Sequence, residues 1–467
     1  MPEPGVKGKV KVKRGSLLLD KYFSGDTMDY RQMISLFIPI LVDQAFVVGL
    51  NLVNTAMISS SGVAAVSAVN MIDSLNIFLI SVFIAVSTGG TVVVAQYKGS
   101  GNDLMVSKAT AGAVSSVSLM ALFIGLFGIV FHGPLLNLLF GAASPDVMAN
   151  ARTYLIGSSL SYLGIAVVEA VCGALRGIGR ARASLVLSLI MNLIYVLLNF
   201  VFINGLHMGV FGMTIAVNAS RYLAAICALI YLFRMDSTLH VRFRDLLAMN
   251  WSMLKRIMNI GLPFAAEQMF FNGGKILTQI FIVSLGTYAI ATNAITSTLA
   301  GVMQIPANAL SLTLITVVGQ CMGNRNVKDA RKFVKSFLVL SSASYVLMAL
   351  LIFPVFHPLV SLFHPPAEII DDIFLVFMIN SIAQIPLWSV SFITPSALRA
   401  AGDSKFTSMV SMLSMWLFRV VLGYLLGIQF GMGIVGVWLA MNCEWGVRGF
   451  IFMRRFLGDK WLQHKVI

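Results

Sequence analysis

The chain has 467 residues, of which 58% are hydrophobic and 11% are charged, and its mean hydropathy is +0.87. Soluble domains carry about 25% charged residues, so this composition excludes an ordinary water-soluble protein. The formal net charge of +14 does not indicate nucleic-acid binding, because the basic residues follow a membrane pattern and form no basic face interleaved with aromatic residues.

Twelve apolar runs are long enough to cross a bilayer. A crossing helix needs about 20 apolar residues, since each residue rises ~1.5 Å through a hydrocarbon core ~30 Å thick. These runs are too long and too evenly apolar to be barrel strands. The sequence predicts an all-α integral membrane protein with helices near 33–58, 66–96, 106–131, 148–173, 183–204, 210–234, 253–284, 288–320, 333–355, 367–394, 405–427 and 433–455.

Among the loops, Lys and Arg occur only in or beside every second one, as Lys98, Arg176 and Arg399 do. The intervening loops contain neither Lys nor Arg; they lie near 59–65, 132–147, 205–209, 285–287, 356–366 and 428–432. By the positive-inside rule, both termini of this multi-pass protein are predicted to be cytoplasmic, in a cell membrane. The polar N-terminal stretch has no small-residue cleavage site, so we expect the first span to be an uncleaved anchor.

The two halves of the chain repeat each other at a constant offset. The matched segments are Pro39-x-x-x-Asp43-Gln44 with Pro263-x-x-x-Glu267-Gln268, and Gln96-x-x-Gly99 with Gln320-x-x-Gly323. Six spans in each repeat give both the same orientation, and such parallel repeats leave a central cleft where transporters bind substrate. The predicted domains are an N-terminal tail (1–30), an N-lobe (31–234), a cytoplasmic connector (235–252), a C-lobe (253–455) and a C-terminal tail (456–467).

Two carboxylates within the spans are candidates for ion coupling. A carboxylate in hydrocarbon is costly unless it is paired, solvated or protonated. Asp43 and Glu267 occupy matched positions, each one helical turn beyond a proline. We predict that they bind either a proton, or Na⁺ at Asp43 with help from nearby oxygens. The alternative is that they only form ion pairs with basic groups such as Lys275.

Other residues are candidates by their position on a span. Asn54 lies three turns beyond Asp43, and Asn192 and Asn199 lie two turns apart. Asn54 and Asn199 are predicted to join Asp43 and Glu267 in cation coupling, although buried amides also link helices structurally. Lys275 is predicted to meet a carboxylate across the cleft or an anionic group of the substrate. The predicted substrate-cavity residues are Gln44, Gln268, Lys275, Asn192, Met269 and Phe271, and the predicted hinges are Pro39 and Pro263.

Enzymatic chemistry has no sequence support. The chain lacks the nucleotide-binding G-x-x-x-x-G-K-[ST] motif and the hydrolase motifs H-E-x-x-H and G-x-S-x-G. Its four cysteines show no C-x-x-C spacing, so we expect no disulfide and no metal cluster. No cofactor is expected beyond the coupling ion, H⁺ or Na⁺, and we expect a monomer.

Several short motifs together resemble the multidrug and toxic compound extrusion (MATE) family. They are the Pro39 segment, Gln96-x-x-Gly99, Gln320-x-x-Gly323, Ala174-Leu175-Arg176-Gly177-Ile178-Gly179 and Gly261-Leu262-Pro263. The resemblance spans about 31–455. It implies a V-shaped fold of two six-helix lobes and export of drugs or metabolites in exchange for H⁺ or Na⁺.

The chain departs from the family pattern at the N-lobe cation site. Val53-Asn54 replaces a common Val-Asp pair, and Tyr195 with Asn199 replaces an Asn and an Asp four residues apart on the fifth span. Phe271 stands where other branches have a glutamate. We therefore predict that Asp43 and Glu267 have taken over ion coupling.

The sequence favours an ion-coupled exporter of amphipathic cationic or zwitterionic compounds. A flippase for a lipid-linked precursor and a non-transporting membrane receptor or scaffold are the alternatives. The duplicated acids within the spans argue against a receptor.

Overall fold

The computed structural model describes residues 14–58, 61–141, 143–235, 239–248 and 250–467, except for the side chains of 14–17, 51, 52, 54–56 and 235. These residues form twelve long helices, numbered α1 to α12: Tyr30–Ile58, Val63–Gly99, Asp103–Val130, Pro145–Gly177, Ala181–Gly205, Gly209–Arg234, Trp251–Ser284, Thr287–Gly323, Val327–Ile352, Ala367–Ala400, Ser404–Gln429 and Gly433–Leu457.

The predicted all-α fold is confirmed, and all twelve predicted spans are helical. Ten helices are long and apolar enough to cross a membrane by composition alone. The other two, α7 and α12, carry charged residues within their length. Helix α9 starts earlier than predicted because the side chain of Asn326 caps it, accepting a hydrogen bond from the Asp329 amide.

Helix α10 continues to Ala400, beyond its predicted end near residue 394. This extension changes the interpretation of Arg399, which the charge pattern assigned to a cytoplasmic loop. The Arg399 side chain is buried inside the C-lobe, at 4% exposure. Its partners compensate for the cost of burying the charge, as described below.

Short and irregular helices complete the lobes. Surface helices at His132–Phe140 and Phe356–Ser361 start at positions related by the offset of the repeat, so they belong to it. Further short helices span Arg14–Phe23 and Phe243–Leu247. In the C-lobe, α10 and α11 contain π-helical segments at Gln384–Ile393 and Met415–Leu422, a widened geometry that is frequent at functional sites.

The chain forms two lobes, α1–α6 and α7–α12. The first helix of each lobe packs against the second helix of the other lobe. Helix α7 packs against α2 of the N-lobe, and α1 packs against α8 of the C-lobe. A Cβ added at Gly89 would lie 2.7 Å from the Ile257 carbonyl oxygen, and one at Gly261 would lie 2.8 Å from the Val86 Cα. The absence of side chains on these two glycines lets α2 and α7 approach backbone to backbone.

Two matched glutamines bridge the lobes. Nε2 of Gln96 donates to the carbonyl oxygen of Ala400 at 2.8 Å, and Nε2 of Gln320 donates to that of Gly177 at 2.9 Å. Each glutamine therefore bonds the backbone of the opposite lobe. We call these two hydrogen bonds the glutamine clasp.

Glycines beside the clasp allow α2 and α8 to touch. A Cβ on Gly99 would overlap the carbonyl oxygen of Gln320, and a Cβ on Gly323 would overlap that of Gln96. This contact lies at the end of the molecule that carries Lys98 and the other basic loop residues. We call it the basic end.

The lobes separate away from the basic end. Hydrogen bonds between them extend from the clasp to the middle of α2 and α7, where Nδ2 of Asn272 donates to Oγ of Ser81 at 3.2 Å. Beyond that point Ile77 of α2 is 63% exposed, and Gln279 of the C-lobe is exposed as well. The chain therefore has the predicted V shape, with its cleft open at the end opposite the basic end.

Substitution of Gly323 by alanine is expected to open the basic end. The added methyl group would overlap the Gln96 carbonyl, so α2 and α8 must move apart. Distances between spin labels at the basic ends of the two lobes should become longer in Gly323→Ala than in the wild type. Gly301→Ala, on the same helix with no atom within 4 Å of the added Cβ, is the control; equal distances in both variants would contradict the close contact between α2 and α8.

Candidate functional site

A cavity of about 670 Å³ lies in the N-lobe between α1, α2, α4, α5 and α6. About half of its lining residues are polar, a larger share than in most small-molecule sites, which are mainly apolar. Its polar lining includes Asn70, Asp73, Asn76, Tyr154, Asn192, Tyr195 and Arg221.

Asp73 is the carboxylate that faces this cavity. The hydroxyl of Tyr154 donates to Oδ1 of Asp73 at 2.8 Å, and Nδ2 of Asn76 approaches the same oxygen at 3.3 Å. The Tyr162 hydroxyl in turn donates to Oδ1 of Asn76 at 2.7 Å. Arg221 lies within electrostatic range of Asp73, so this carboxylate is held by hydrogen bonds and has a cation nearby.

Two further carboxylates lie beneath the cavity floor. Val47 and Ile165 line the cavity, and Asp43 and Glu169 lie one helical turn from them toward the basic end. Glu169 lies within electrostatic range of Asp43, Arg176 and Arg221. Oδ1 of Asp43 is buried and has no hydrogen-bond partner among the described residues.

The matched carboxylate of the C-lobe is fully paired. Oε2 of Glu267 accepts from Nη2 of Arg399 at 2.9 Å and from the Ser408 hydroxyl at 3.0 Å. The Arg399 guanidinium also lies 3.7 Å from the centroid of the Phe264 ring. The charge of Glu267 is therefore compensated within its own lobe.

The repeat relates these two groups residue by residue. The matched pairs are Asp43 with Glu267, Arg176 with Arg399, and Ser184 with Ser408. In the N-lobe, Nη1 of Arg176 donates to Ser184 at 3.3 Å, and no ion pair joins Arg176 to Asp43 in the described part of the chain. Glu169 has the apolar Phe392 as its C-lobe counterpart, at the same offset that relates Arg176 to Arg399. With Asp73 and Arg221, which also lie within electrostatic range, the N-lobe group has three carboxylates for two guanidiniums, whereas the C-lobe group is balanced.

A cluster of charges lies farther from the basic end in the C-lobe. Glu444 is completely buried and binds both Arg419 at 2.7 Å and Arg448 at 2.8 Å. Phe271 lies between two cations: Nζ of Lys275 is 4.7 Å from its ring centroid, and the Arg419 guanidinium is 5.1 Å from it. A small cavity of about 130 Å³ connects Phe271 with Gln268, Glu267, Arg399 and Arg448.

The structure separates the predicted site residues into two groups. Asn192 lines the N-lobe cavity and Asn199 is buried nearby on α5, whereas Gln268 and Phe271 line the C-lobe cavity. Gln44 is half-buried beside Asp43. Asn54 lies outside the described side chains.

The remaining predicted residues do not join either cavity lining. Met269 is 42% exposed and lies on another face of α7 from Gln268 and Phe271. Helices α1 and α7 run continuously through Pro39 and Pro263, whose hinge role stays a prediction. Lys275 forms no ion pair within 4.0 Å among the described residues.

Sequence reasoning missed Asp73 and its tyrosine partners. Asn70, Asp73 and Asn76 recur every three residues in an otherwise apolar span, and this polar stripe could have revealed the site. The partners Tyr154 and Tyr162 could not be paired with it without coordinates, because they lie two helices farther along the chain, on α4.

Comparison with known proteins identifies the family. The MatE family model matches the chain twice, over residues 39–201 and 263–425. The chain belongs to the MATE family of transporters. The two matches begin at Pro39 and Pro263, so they are related by the same offset as Asp43 and Glu267.

Relatives align along nearly the whole chain. The "Uncharacterized transporter YisQ" of Bacillus subtilis is 27% identical over 443 residues, covering 92% of this chain and 95% of that protein. The "Probable multidrug resistance protein NorM" of Thermotoga maritima is 24% identical over 447 residues, covering 94% of each. These MATE relatives are transporters, in agreement with the absence of enzyme motifs.

Solved structures share the fold of this MATE protein. A crystal structure of MATE in complex with MaL6 superposes with a TM-score of 0.83 at 17% identity, covering 96% of this chain and 99% of that one. An outward-facing multidrug resistance MATE transporter gives 0.81 at 18% identity, covering 96% and 99%. At this identity the likeness concerns the fold alone.

Neutralising Glu444 is expected to destabilise the C-lobe. Glu444→Gln would leave Arg419 and Arg448 buried without a counter-charge, which typically costs about 3–5 kcal/mol. Thermal unfolding of the purified protein in detergent should show a clearly lower Tm. Asp459→Asn, which breaks an exposed ion pair with Arg331, should change Tm little; equal shifts in the two variants would contradict the structural role of Glu444.

Proposed function

We propose that this MATE protein is a secondary active antiporter. It exports small, amphipathic organic compounds that are cationic or zwitterionic, in exchange for H⁺ or Na⁺. The protein works as a monomer in the cell membrane with both termini in the cytoplasm. The distribution of Lys and Arg among the loops supports a cytoplasmic basic end.

The unbalanced charge group beneath the N-lobe cavity carries this proposal. Asp43, Glu169 and Asp73 contribute three negative charges, and the guanidiniums of Arg176 and Arg221 contribute two positive charges, a sum of 2 − 3 = −1. Burial in a low-dielectric environment makes such an excess costly, and binding one proton or one Na⁺ removes it. The cavity above it gives a path from the open cleft. We therefore propose Asp43 and Glu169 as the coupling residues.

The balanced group of the C-lobe supports a different role for Glu267. Because Arg399 already compensates its charge, Glu267 needs no bound ion. The sequence predicted both Asp43 and Glu267 as coupling residues. The present proposal places coupling in the N-lobe and leaves Glu267 out.

Alternating access follows from the clasp and the cleft. With the glutamine clasp formed, the cleft opens only away from the basic end. Opening of the clasp and closure of the cleft would expose both lobe cavities to the cytoplasm. An ion bound at Asp43 from outside would then be released inside, and its free energy would drive export.

Asp43→Asn is expected to abolish coupling. Loss of the carboxylate removes the ion site, so gradient-driven export of a fluorescent cationic dye should fall by about tenfold or more. The measurement is dye efflux from proteoliposomes with the H⁺ and Na⁺ gradients collapsed separately, which also identifies the ion. Glu169→Gln should weaken coupling in the same way.

Two controls make this test specific. Asp371→Asn changes an exposed acid on α10 and should leave export unchanged. The double variant Glu267→Gln, Arg399→Gln replaces the balanced pair by neutral amides and should keep its dependence on the gradient. Normal gradient-dependent export by the double variant Asp43→Asn, Glu267→Gln would overturn the proposal.

A further inference from the structure

We propose that Lys275 binds an anionic group of the substrate, a carboxylate or a phosphate, in the C-lobe half of the cleft. This inference rests on the proposed transport function and narrows its substrates to compounds that carry such a group. It concerns binding, so it can be tested separately from ion coupling.

Lys275 faces the interior of the cleft. Gln268, Phe271 and Lys275 are spaced three and four residues apart, which places them on one face of α7. The first two line the C-lobe cavity, and Nζ of Lys275 stacks on Phe271. The side chain is solvent-accessible, although it lies within electrostatic range of Arg419 and Glu444 on α11 and α12. It can therefore meet a ligand that enters the cleft.

The charges around Lys275 leave a positive excess. Lys275, Arg419 and Arg448 contribute three positive charges, and Glu444 contributes one negative charge, a sum of 3 − 1 = +2. The nearby pair of Glu267 and Arg399 is neutral and does not reduce this excess. Acids on α10 at Asp371 and Asp372 are exposed, and neither forms an ion pair with Lys275 in the described structure.

Buried hydrogen-bond donors without a partner add to the capacity of the C-lobe to bind an anion. Nη2 of Arg448 and Nε of Arg399 are buried without a hydrogen-bond partner among the described residues, and both side chains line the small C-lobe cavity. Arg448 is positioned by the π-helical segment of α10, since its Nε donates to Ser391 at 2.7 Å. Such donors bind anions strongly through charge-assisted hydrogen bonds.

The opposite lobe carries the complementary charge. Asp73 and Arg221 line the N-lobe cavity, and Asp43, Glu169 and Arg176 lie below it, so this lobe carries a net charge of 2 − 3 = −1. A zwitterion would therefore find a negative wall in the N-lobe and a positive wall in the C-lobe. This arrangement favours a compound with a carboxylate or phosphate over a purely cationic compound.

A pair of matched dyes tests the proposal. Equilibrium binding to the purified full-length protein is measured by fluorescence polarisation for a carboxy-rhodamine and for the methyl ester of the same dye. The wild type should bind the carboxylate more tightly than the ester. Lys275→Met should weaken carboxylate binding by about tenfold or more, while ester binding changes less than about twofold.

Control variants separate charge from packing. Lys275→Arg keeps the positive charge and should restore preference for the carboxylate. Lys255→Met removes an exposed lysine near the basic end of α7 and should change neither affinity. Equal losses for both dyes in Lys275→Met, or no preference in the wild type, would overturn the proposal.

Transport of the same dyes distinguishes the two proposals. If binding discriminates as expected but neither dye moves with an H⁺ or Na⁺ gradient, the antiport function fails and the anion site stands. If both dyes are exported with a gradient and Lys275→Met affects them equally, the antiport function stands and the anion site is rejected.

Discussion

The high free-energy cost of charge in hydrocarbon is the constraint on which this structure depends. Within the spans, the carboxylates of Glu444, Glu267 and Asp73 all have partners that compensate for this cost. Glu444 is shared by two arginines, Glu267 is held by Arg399, and Asp73 is bound by a tyrosine and an asparagine. The exceptions carry the functional argument: an oxygen of Asp43 without a partner among the described residues, and Lys275 facing the cleft.

The two lobes share one backbone fold, but the charged groups inside them have net charges of opposite sign. The matched groups around Asp43 and Glu267 differ chiefly by one residue, since Glu169 corresponds to Phe392. That single carboxylate turns a balanced ion pair into a group that attracts a cation. Farther from the basic end, the C-lobe carries the cationic residues Lys275, Arg419 and Arg448. A duplicated fold can therefore assign ion binding to one half and recognition of an anion to the other, without a change of architecture.

The sequence predicted the architecture well because hydrocarbon thickness and backbone hydrogen bonding leave few alternatives for apolar runs. All twelve helices followed from the length of the apolar runs, and the repeat followed from a constant offset between matched segments. The site was harder to predict because pairing depends on contacts between distant segments. Nothing in sequence linked Glu267 to Arg399, which the loop pattern placed elsewhere, or Asp73 to Tyr154. Asp43 and Lys275 were found because a charge in an apolar run is conspicuous by itself.

The glutamine clasp uses only main-chain carbonyls as acceptors, those of Ala400 and Gly177. A carbonyl is present whatever side chain occupies the position, so the closed state of the basic end depends on the path of the backbone and not on the identity of the partner residue. Cavity side chains can consequently diversify while the gate stays intact. In such an arrangement, substrate range and the opening mechanism can evolve as independent traits.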